Sequence, residues 1–247
     1  TRKAGPASKA NSWQPLKGAQ VVSNVPGLSF KTLADQSTLA TGSNPDKVVI
    51  IAKAPLDQGI WTALRLDALR HESMTDGGIA RSDSGNFVLT SFEVYLQREG
   101  GPRTKLTLKN PQATFEQGHY GIASSLDGNP ETGWAVYEGR KIDRDHAALF
   151  QFSSPLEAET GDQLEIVLKH ESRHPKHFLG RFKLSVSKDL NPSLQIKGSQ
   201  IDTLLSLAPD QRTPKQTADL LSHLKITDPE VKAVDTTIKS LESRLAN

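Results

Sequence analysis

The sequence contains no cysteine and only one methionine, Met74. Without cysteine this segment cannot form disulfides, carry out thiolate catalysis, build zinc–cysteine sites or attach haem covalently. The absence of cysteine does not identify a compartment. Because the chain begins at Thr1 and its methionine lies far inside, we expect a fragment cut from a longer or processed protein.

Long apolar runs and an excess of one charge are also absent. No stretch approaches the roughly 18 consecutive apolar residues that a membrane-spanning helix needs, so we expect no membrane span. The chain has 30 lysines and arginines against 28 acidic residues, a net charge of +2, without long blocks of like charge. This balance indicates that nucleic acid is not a partner.

The common catalytic motifs are missing as well. There is no Gly-x-Ser-x-Gly elbow, no phosphate-binding Gly-Lys-Ser/Thr loop and no dinucleotide fingerprint, so we expect a protein that is not an enzyme. The alternative is a glycosidase, because a catalytic carboxylate pair can assemble from distant strands. The acidic residues available for such a pair are Asp143, Asp145, Glu157 and Glu159.

Short apolar or alternating runs, separated by Gly, Pro, Asn and Asp, fill the chain from Trp13 to about Val186. This pattern predicts a mainly β fold, an antiparallel β-sandwich whose two sheets bury their facing sides. We expect residues 1–12 to be a flexible lead-in and residues 13–190 to form the sandwich. The predicted strands are Ala19–Ser23, Lys47–Ala52, Trp61–Leu69, Asn86–Gln97, Arg103–Lys109, Ala147–Phe152, Gln163–His170 and Gly180–Ser187.

The apolar period becomes helical after Asn191-Pro192. We expect residues 191–247 to be a helical appendage or linker with helices over 201–207, 213–224 and 228–245. Thr213 and Asp228 each precede a proline, which is typical of a capping residue followed by the first helical position.

The segment 123–136 carries Asp-Gly and Asn-Pro turn pairs, and Asp127, Asn129 and Thr132 supply closely spaced oxygen atoms before Trp134. One interpretation is a calcium site, because Ca²⁺ takes six to eight oxygen ligands. The other is an Asx-type turn whose side chains cap their own backbone.

The pattern of Asp127, Asn129, Thr132 and Trp134 resembles the loop of discoidin-like, or coagulation-factor type C, modules. The resemblance implies a galactose-binding-like, jelly-roll sandwich. In that family the loop often holds structural Ca²⁺, and neighbouring loops bind sugars or lipid headgroups.

Residues 81–94 and 177–186, with 133–136 and 146–150 between them, resemble a module of large planctomycete-type proteins that also carry a cytochrome-c-like domain. The tail is similar too, through Leu205, Arg212, Thr213 and Gln216. This resemblance implies a secreted or periplasmic protein in which the segment is non-catalytic and adjoins further domains of the same polypeptide. The segment 74–79 departs from the proline-rich pattern of that module.

His170, His174 and His177 are spaced as metal ligands would be on a helix. Their segment contains Pro175 and lies between two predicted strands, which favours a hairpin loop instead.

Sugar binding needs an aromatic face for the C–H surface of the ring and polar side chains that make several hydrogen bonds to its hydroxyls. Each candidate has a structural alternative: Trp134 could plug the core, Asn86 could cap a strand, and Arg81 and Arg181 could pair with Glu93 or Asp83. The candidate ligand-binding residues are Arg81, Asn86, Trp134, Tyr137, Arg140, His146, His177 and Arg181.

These features together predict a carbohydrate-binding module for a polysaccharide or other glycan. The lysines and arginines near residues 138–144 and 169–181 favour an anionic glycan, either sulfated or uronic. The main alternative is a structural or protein–protein interaction module that binds no glycan.

Overall fold

The computed structural model describes residues 13–194, 204, 207–227 and 229–245. Twelve strands of these described residues form two antiparallel sheets, which confirms the predicted β-sandwich. The strands are β1 (Gln14–Pro15), β2 (Gln20–Ser23), β3 (Leu28–Thr32), β4 (Thr38–Gly42), β5 (Val48–Pro55), β6 (Gly59–Ala68), β7 (Ser91–Gln97), β8 (Arg103–Leu106), β9 (Leu108–Ala113), β10 (His146–Ala158), β11 (Gln163–His170) and β12 (Arg181–Ser187).

One sheet has seven strands in the order β3-β4-β12-β6-β10-β9, with β1 added beside β12, and the other has five in the order β2-β5-β11-β7-β8. Residues 13–194 lie within one compact unit. The facing sides of its sheets are apolar because alternate residues of each strand point to the same side. Phe92 of β7 and Phe150 of β10 stack across the core with ring centroids 4.1 Å apart.

Several boundaries differ from the sequence-based prediction. The predicted strand over 103–109 is divided at Thr107, so that β8 pairs in the smaller sheet and β9 in the larger one. The strand predicted from Asn86 begins at Ser91, because the side chain of Asn86 and the backbone of Leu89 bond to a distant loop. The sequence-based prediction missed β1, β3 and β4.

Within the described residues a second compact unit contains two α-helices, α1 (Pro214–Thr227) and α2 (Pro229–Leu245). Thr213 and Gln216 form a reciprocal capping box at the start of α1, as the Thr-Pro pair predicts. The predicted helix over 201–207 lies mostly outside the described residues, as do Asp228 and the predicted lead-in 1–12. Among the described helices, none combines the length and apolar character required to cross a membrane.

Two histidines are buried in the sandwich, His146 at the start of β10 and His170 at the end of β11. Nδ1 of His170 lies 2.8 Å from the Val88 carbonyl oxygen, to which it donates. Burial lowers the pKa of each ring to about 4, and the positive charge of Arg144 adds to the effect at His146. Both rings are therefore neutral in the folded protein at neutral pH.

We expect these histidines to make the protein lose stability as pH falls from about 6.5 to about 4. In that window the histidines of the unfolded chain take up protons while those of the folded protein stay neutral. At the low-pH end each ring therefore lowers the free energy of unfolding by on the order of 3 kcal/mol. Urea unfolding at several pH values would measure the slope, which His146→Gln and His170→Gln should each flatten. His119→Asn, at an exposed position, should keep the slope, and equal slopes in all four proteins would contradict the assignment.

Candidate ligand-binding site at the loop end of the sandwich

The three long connections of the sandwich emerge at the same end. Residues 69–90 join β6 to β7, residues 114–145 join β9 to β10, and residues 171–180 join β11 to β12. The strand register places Ala68 opposite both His146 and Phe182, so these connections start side by side. We call this end of the sandwich the loop end. It contains all eight candidate ligand-binding residues.

Asn86 holds two of these connections together. Its side chain is 4% exposed, its amide nitrogen donates to Oε1 of Gln117 at 3.1 Å, and its Oδ1 accepts from the backbone N–H of Val136 at 3.1 Å. Gln117 Oε1 also accepts from the backbone N–H of Tyr137. Asn86 therefore serves the packing of the loops, and Gln117, which sequence reasoning missed, completes the bond network.

Trp134 is a core residue. Its side chain is fully buried, its indole N–H donates to the Phe115 carbonyl at 2.9 Å, and its ring meets Phe87 edge-on with centroids 5.0 Å apart. Leu89 and Trp134 exchange two backbone hydrogen bonds, and a Cβ on Gly133, which precedes Trp134, would lie 2.5 Å from the Leu89 carbonyl oxygen. In this structure Trp134 offers no face to a sugar ring.

Arg81 fixes the connection between β4 and β5. Its two terminal nitrogens donate to the carbonyls of Gly42 and Ser43 at 2.8 Å, and its guanidinium carbon lies 5.4 Å from the centre of the Phe178 ring. Burial lowers the pKa of Arg81. Among the described residues Arg81 forms no ion pair with Asp83, whose Oδ1 accepts from the Ser84 backbone N–H.

Arg181 pairs with Asp35 rather than with Glu93. Its nitrogens donate to Ser37 Oγ at 2.9 Å, to the Arg70 carbonyl at 3.1 Å and to Asp35 Oδ2 at 2.7 Å. The Ser37 hydroxyl, followed by the charge of Arg181, lowers the pKa of Asp35 to about 2. Arg181 is thus committed to partners that fix its position, and its charge is balanced.

The arginines of the 138–144 segment are also paired. Arg140 donates to Glu138 at 3.0 Å and lies 3.5 Å from Asp143, and Arg144 contacts the other oxygen of Glu138. His146 lies beneath this cluster, with Nδ1 3.5 Å from Thr114 Oγ1. Tyr137 is half-buried and packs against the core.

The three histidines of the 170–177 segment do not converge. His170 is buried against Val88, whereas His174 receives a 2.9 Å contact from the Tyr120 hydroxyl, and His177 lies 2.8 Å from the Pro175 carbonyl. Only the rings of His174 and His177 are close, with centroids 5.5 Å apart. Within the part of the chain that the structure describes, no group of three His, Cys, Asp or Glu residues could hold a metal ion.

The four acidic residues considered for glycoside hydrolysis lie at opposite ends of β10. Asp143 and Asp145 precede this strand at the loop end, and Oδ1 of Asp145 accepts from the Arg70 backbone N–H. Glu157 lies in the last part of the strand, opposite Ile60, and Glu159 follows it. The structure therefore separates Asp143 and Asp145 from Glu157 and Glu159.

An open depression of about 600 Å³ lies at the loop end, beside the Arg181–Asp35 pair. Of the candidate residues predicted from sequence it contains only Arg181. Sequence reasoning missed the others because they lie on irregular loops without a recognisable motif. The lining residues are Arg70, His71, Glu72, Asp76, Gly77, Lys141 and Arg181.

The turn at 127–132 is closed by its own side chains. Asp127 Oδ1 accepts from the Asn129 backbone at 2.7 Å, Asp127 Oδ2 accepts from the Thr132 hydroxyl at 2.8 Å, and Asn129 Oδ1 accepts from the Glu131 backbone at 3.0 Å. These are the bonds of the Asx-type turn, in which Asp and Asn side chains cap nearby backbone N–H groups. Calcium binding at this turn stays a prediction.

No family model matches the chain, and comparison with curated proteins and with solved structures finds no significant match either. The resemblances to discoidin-like and planctomycete-type modules therefore stay predictions.

We expect Asn86→Ala to destabilise the sandwich by about 1–3 kcal/mol, because it leaves the buried N–H of Val136 without an acceptor. Urea unfolding would measure the loss. Asn191→Ala removes an exposed amide and is the matched control, expected to stay within about 0.5 kcal/mol of the parent protein. A loss below about 0.5 kcal/mol for Asn86→Ala would show that the hydrogen bonds of the Asn86 side chain contribute little to stability.

We expect Thr132→Val to cost about 1 kcal/mol by removing the hydroxyl that donates to Asp127, equally in EDTA and in millimolar Ca²⁺. The Asx-type turn predicts a thermal midpoint that does not respond to calcium. A calcium site would instead add about 2.7 kcal/mol when free Ca²⁺ is about 100 times its Kd. A calcium-dependent rise that Asp127→Ala abolishes would assign these oxygens to the metal.

Proposed function

We propose that the sandwich is a non-catalytic carbohydrate-binding module that binds an anionic polysaccharide at its loop end. The observation that carries the proposal is the open depression at this end, lined by hydrogen-bonding and charged side chains. Sugar hydroxyls and carboxylates are recognised by such groups, especially by planar guanidinium and carboxylate groups. The module would belong to a larger secreted or periplasmic protein, as the resemblance of its loop motifs implies.

The rigidity of the loop end supports this proposal. The Asn86 side chain and the backbone bonds between Leu89 and Trp134 join residues 69–90 to residues 114–145, and the bond from Val88 to the His177 carbonyl joins them to residues 171–180. A preformed rim has little conformational entropy left to lose when a ligand binds. Binding would concentrate neighbouring domains on the polymer by tethering.

The alternative function, a structural or protein–protein interaction module, is favoured by a feature of α2. Val234, Ile238 and Leu241 recur at helical spacing and are 47–58% exposed. An exposed apolar stripe of this kind is typical of a helix that packs against a partner. In that case a neighbouring domain would be the partner, and the loop end would bind no glycan.

We expect Lys141→Ala to weaken binding of an anionic polysaccharide about fivefold to tenfold, because it removes an exposed ammonium group from the depression. Affinity electrophoresis against neutral, sulfated and uronic polymers would measure the change. Lys17→Ala is the matched control, because Lys17 is an exposed lysine at the opposite end of the sandwich, where a Cβ on the neighbouring Gly18 would lie 3.8 Å from Pro55.

The same panel tests the alternatives. If no polymer retards the parent protein, the interaction-module function is favoured. Release of shortened sugars would indicate an enzyme. An equal effect of Lys17→Ala and Lys141→Ala would place binding elsewhere.

A further inference from the structure

We propose that the depression selects a polyuronate, a polysaccharide with one carboxylate and free hydroxyls on each ring, over densely sulfated and neutral polymers. This inference rests on the proposed function and names its ligand class. It is carried by the arrangement of cationic and anionic groups around Arg70.

The guanidinium of Arg70 is oriented before any ligand binds. Its Nε donates to the Gly77 carbonyl at 2.9 Å and its Nη1 to the Asp143 carbonyl at 2.9 Å. Its own backbone is held by Asp145 Oδ1 on the N–H and by Arg181 on the carbonyl. The side chain therefore presents its remaining terminal nitrogen, Nη2, in a fixed position.

Gly77 keeps that nitrogen accessible. A Cβ at Gly77 would lie 3.6 Å from Arg70 Nη2, so a longer side chain at this position would extend over the guanidinium edge. Gly77 also has a φ of +64°, which favours glycine. A carboxylate on a sugar ring can accept a charge-assisted hydrogen bond from this nitrogen.

Two further donors face the same depression. Lys141 is exposed on its rim and, among the described residues, has no ion-pair partner. Nδ1 of His71 accepts from the Ser73 backbone N–H at 3.2 Å, so the neutral ring carries its hydrogen on Nε2. Nε2 is thus the nitrogen that can donate to a sugar oxygen.

The acidic side chains of the lining disfavour a polymer with closely spaced sulfates. Glu72 and Asp76 are exposed and line the same depression, and the charge of Arg181 is already balanced by Asp35. The two remaining cations, Arg70 and Lys141, are equalled in number by these two carboxylates, with which they form no ion pair among the described residues. Closely spaced sulfates would meet like charge, whereas ring hydroxyls can donate to these carboxylates. A ring with one carboxylate and several hydroxyls satisfies both kinds of group.

The test is calorimetric titration of the whole chain, in EDTA and at physiological salt, with polygalacturonate, alginate, carboxyl-reduced polygalacturonate and dextran sulfate. We expect at least one polyuronate to bind about tenfold more tightly per site than the carboxyl-reduced polymer and dextran sulfate. The double variant Glu72→Gln/Asp76→Asn should gain several-fold in affinity for dextran sulfate. Asp57→Asn/Glu99→Gln makes the same charge change in the short loops of the opposite end and should gain less.

The outcomes separate this inference from the proposed function. Preferential binding of dextran sulfate or of the carboxyl-reduced polymer by the parent protein would overturn the polyuronate assignment and leave the glycan-binding function standing. Equal gains in the two double variants would overturn the role of Glu72 and Asp76 in selectivity. Failure of all four polymers to bind would overturn both proposals.

Discussion

Burial of the facing sides of two antiparallel sheets is the constraint on which the rest of this structure depends. Phe92 and Phe150 stack across the layers, and the side chains around them exclude water from the space between the sheets. Because a one-residue slip would turn every apolar side chain outward, this burial fixes the strand register. The register in turn fixes where the connections begin, and the three long ones begin together at the loop end.

The sequence predicts those parts of the fold in which alternation is strong. The buried Leu164, Ile166 and Leu168 alternate along β11, whose predicted limits match the structure. The prediction fails where pairing depends on distant residues. Strands β3 and β4 are short and mix polar with apolar residues, and Thr107 divides a continuous pattern between two sheets. The local sequence pattern reveals neither the pairing of β3 and β4 nor the division at Thr107, because the partners of each strand come from elsewhere in the chain.

The candidate site was less predictable than the fold, because the type of a residue does not reveal which group its side chain will bond to. Asn86 and Trp134 have the chemistry of sugar-binding residues, yet their bonds to Gln117 and Phe115 commit them to the interior. Arg181 pairs with Asp35, which is remote in sequence. Arg70 and Lys141 carry no motif, and only the converging loops bring them to the same depression.

Counting basic residues near a loop is therefore a weak argument for an anionic ligand in this protein. Arg140 and Arg144 share Glu138, and Lys169 pairs with Glu93, so much of the positive charge around residues 138–144 and 169–181 is neutralised within the fold. Recognition of an anionic ligand would instead depend on which donor atoms keep a direction that no partner in the fold occupies. Arg70 keeps one because its other nitrogens are held by backbone carbonyls, which fix the guanidinium without cancelling its charge. Charge that is oriented but not paired can distinguish ligands by shape as well as by sign.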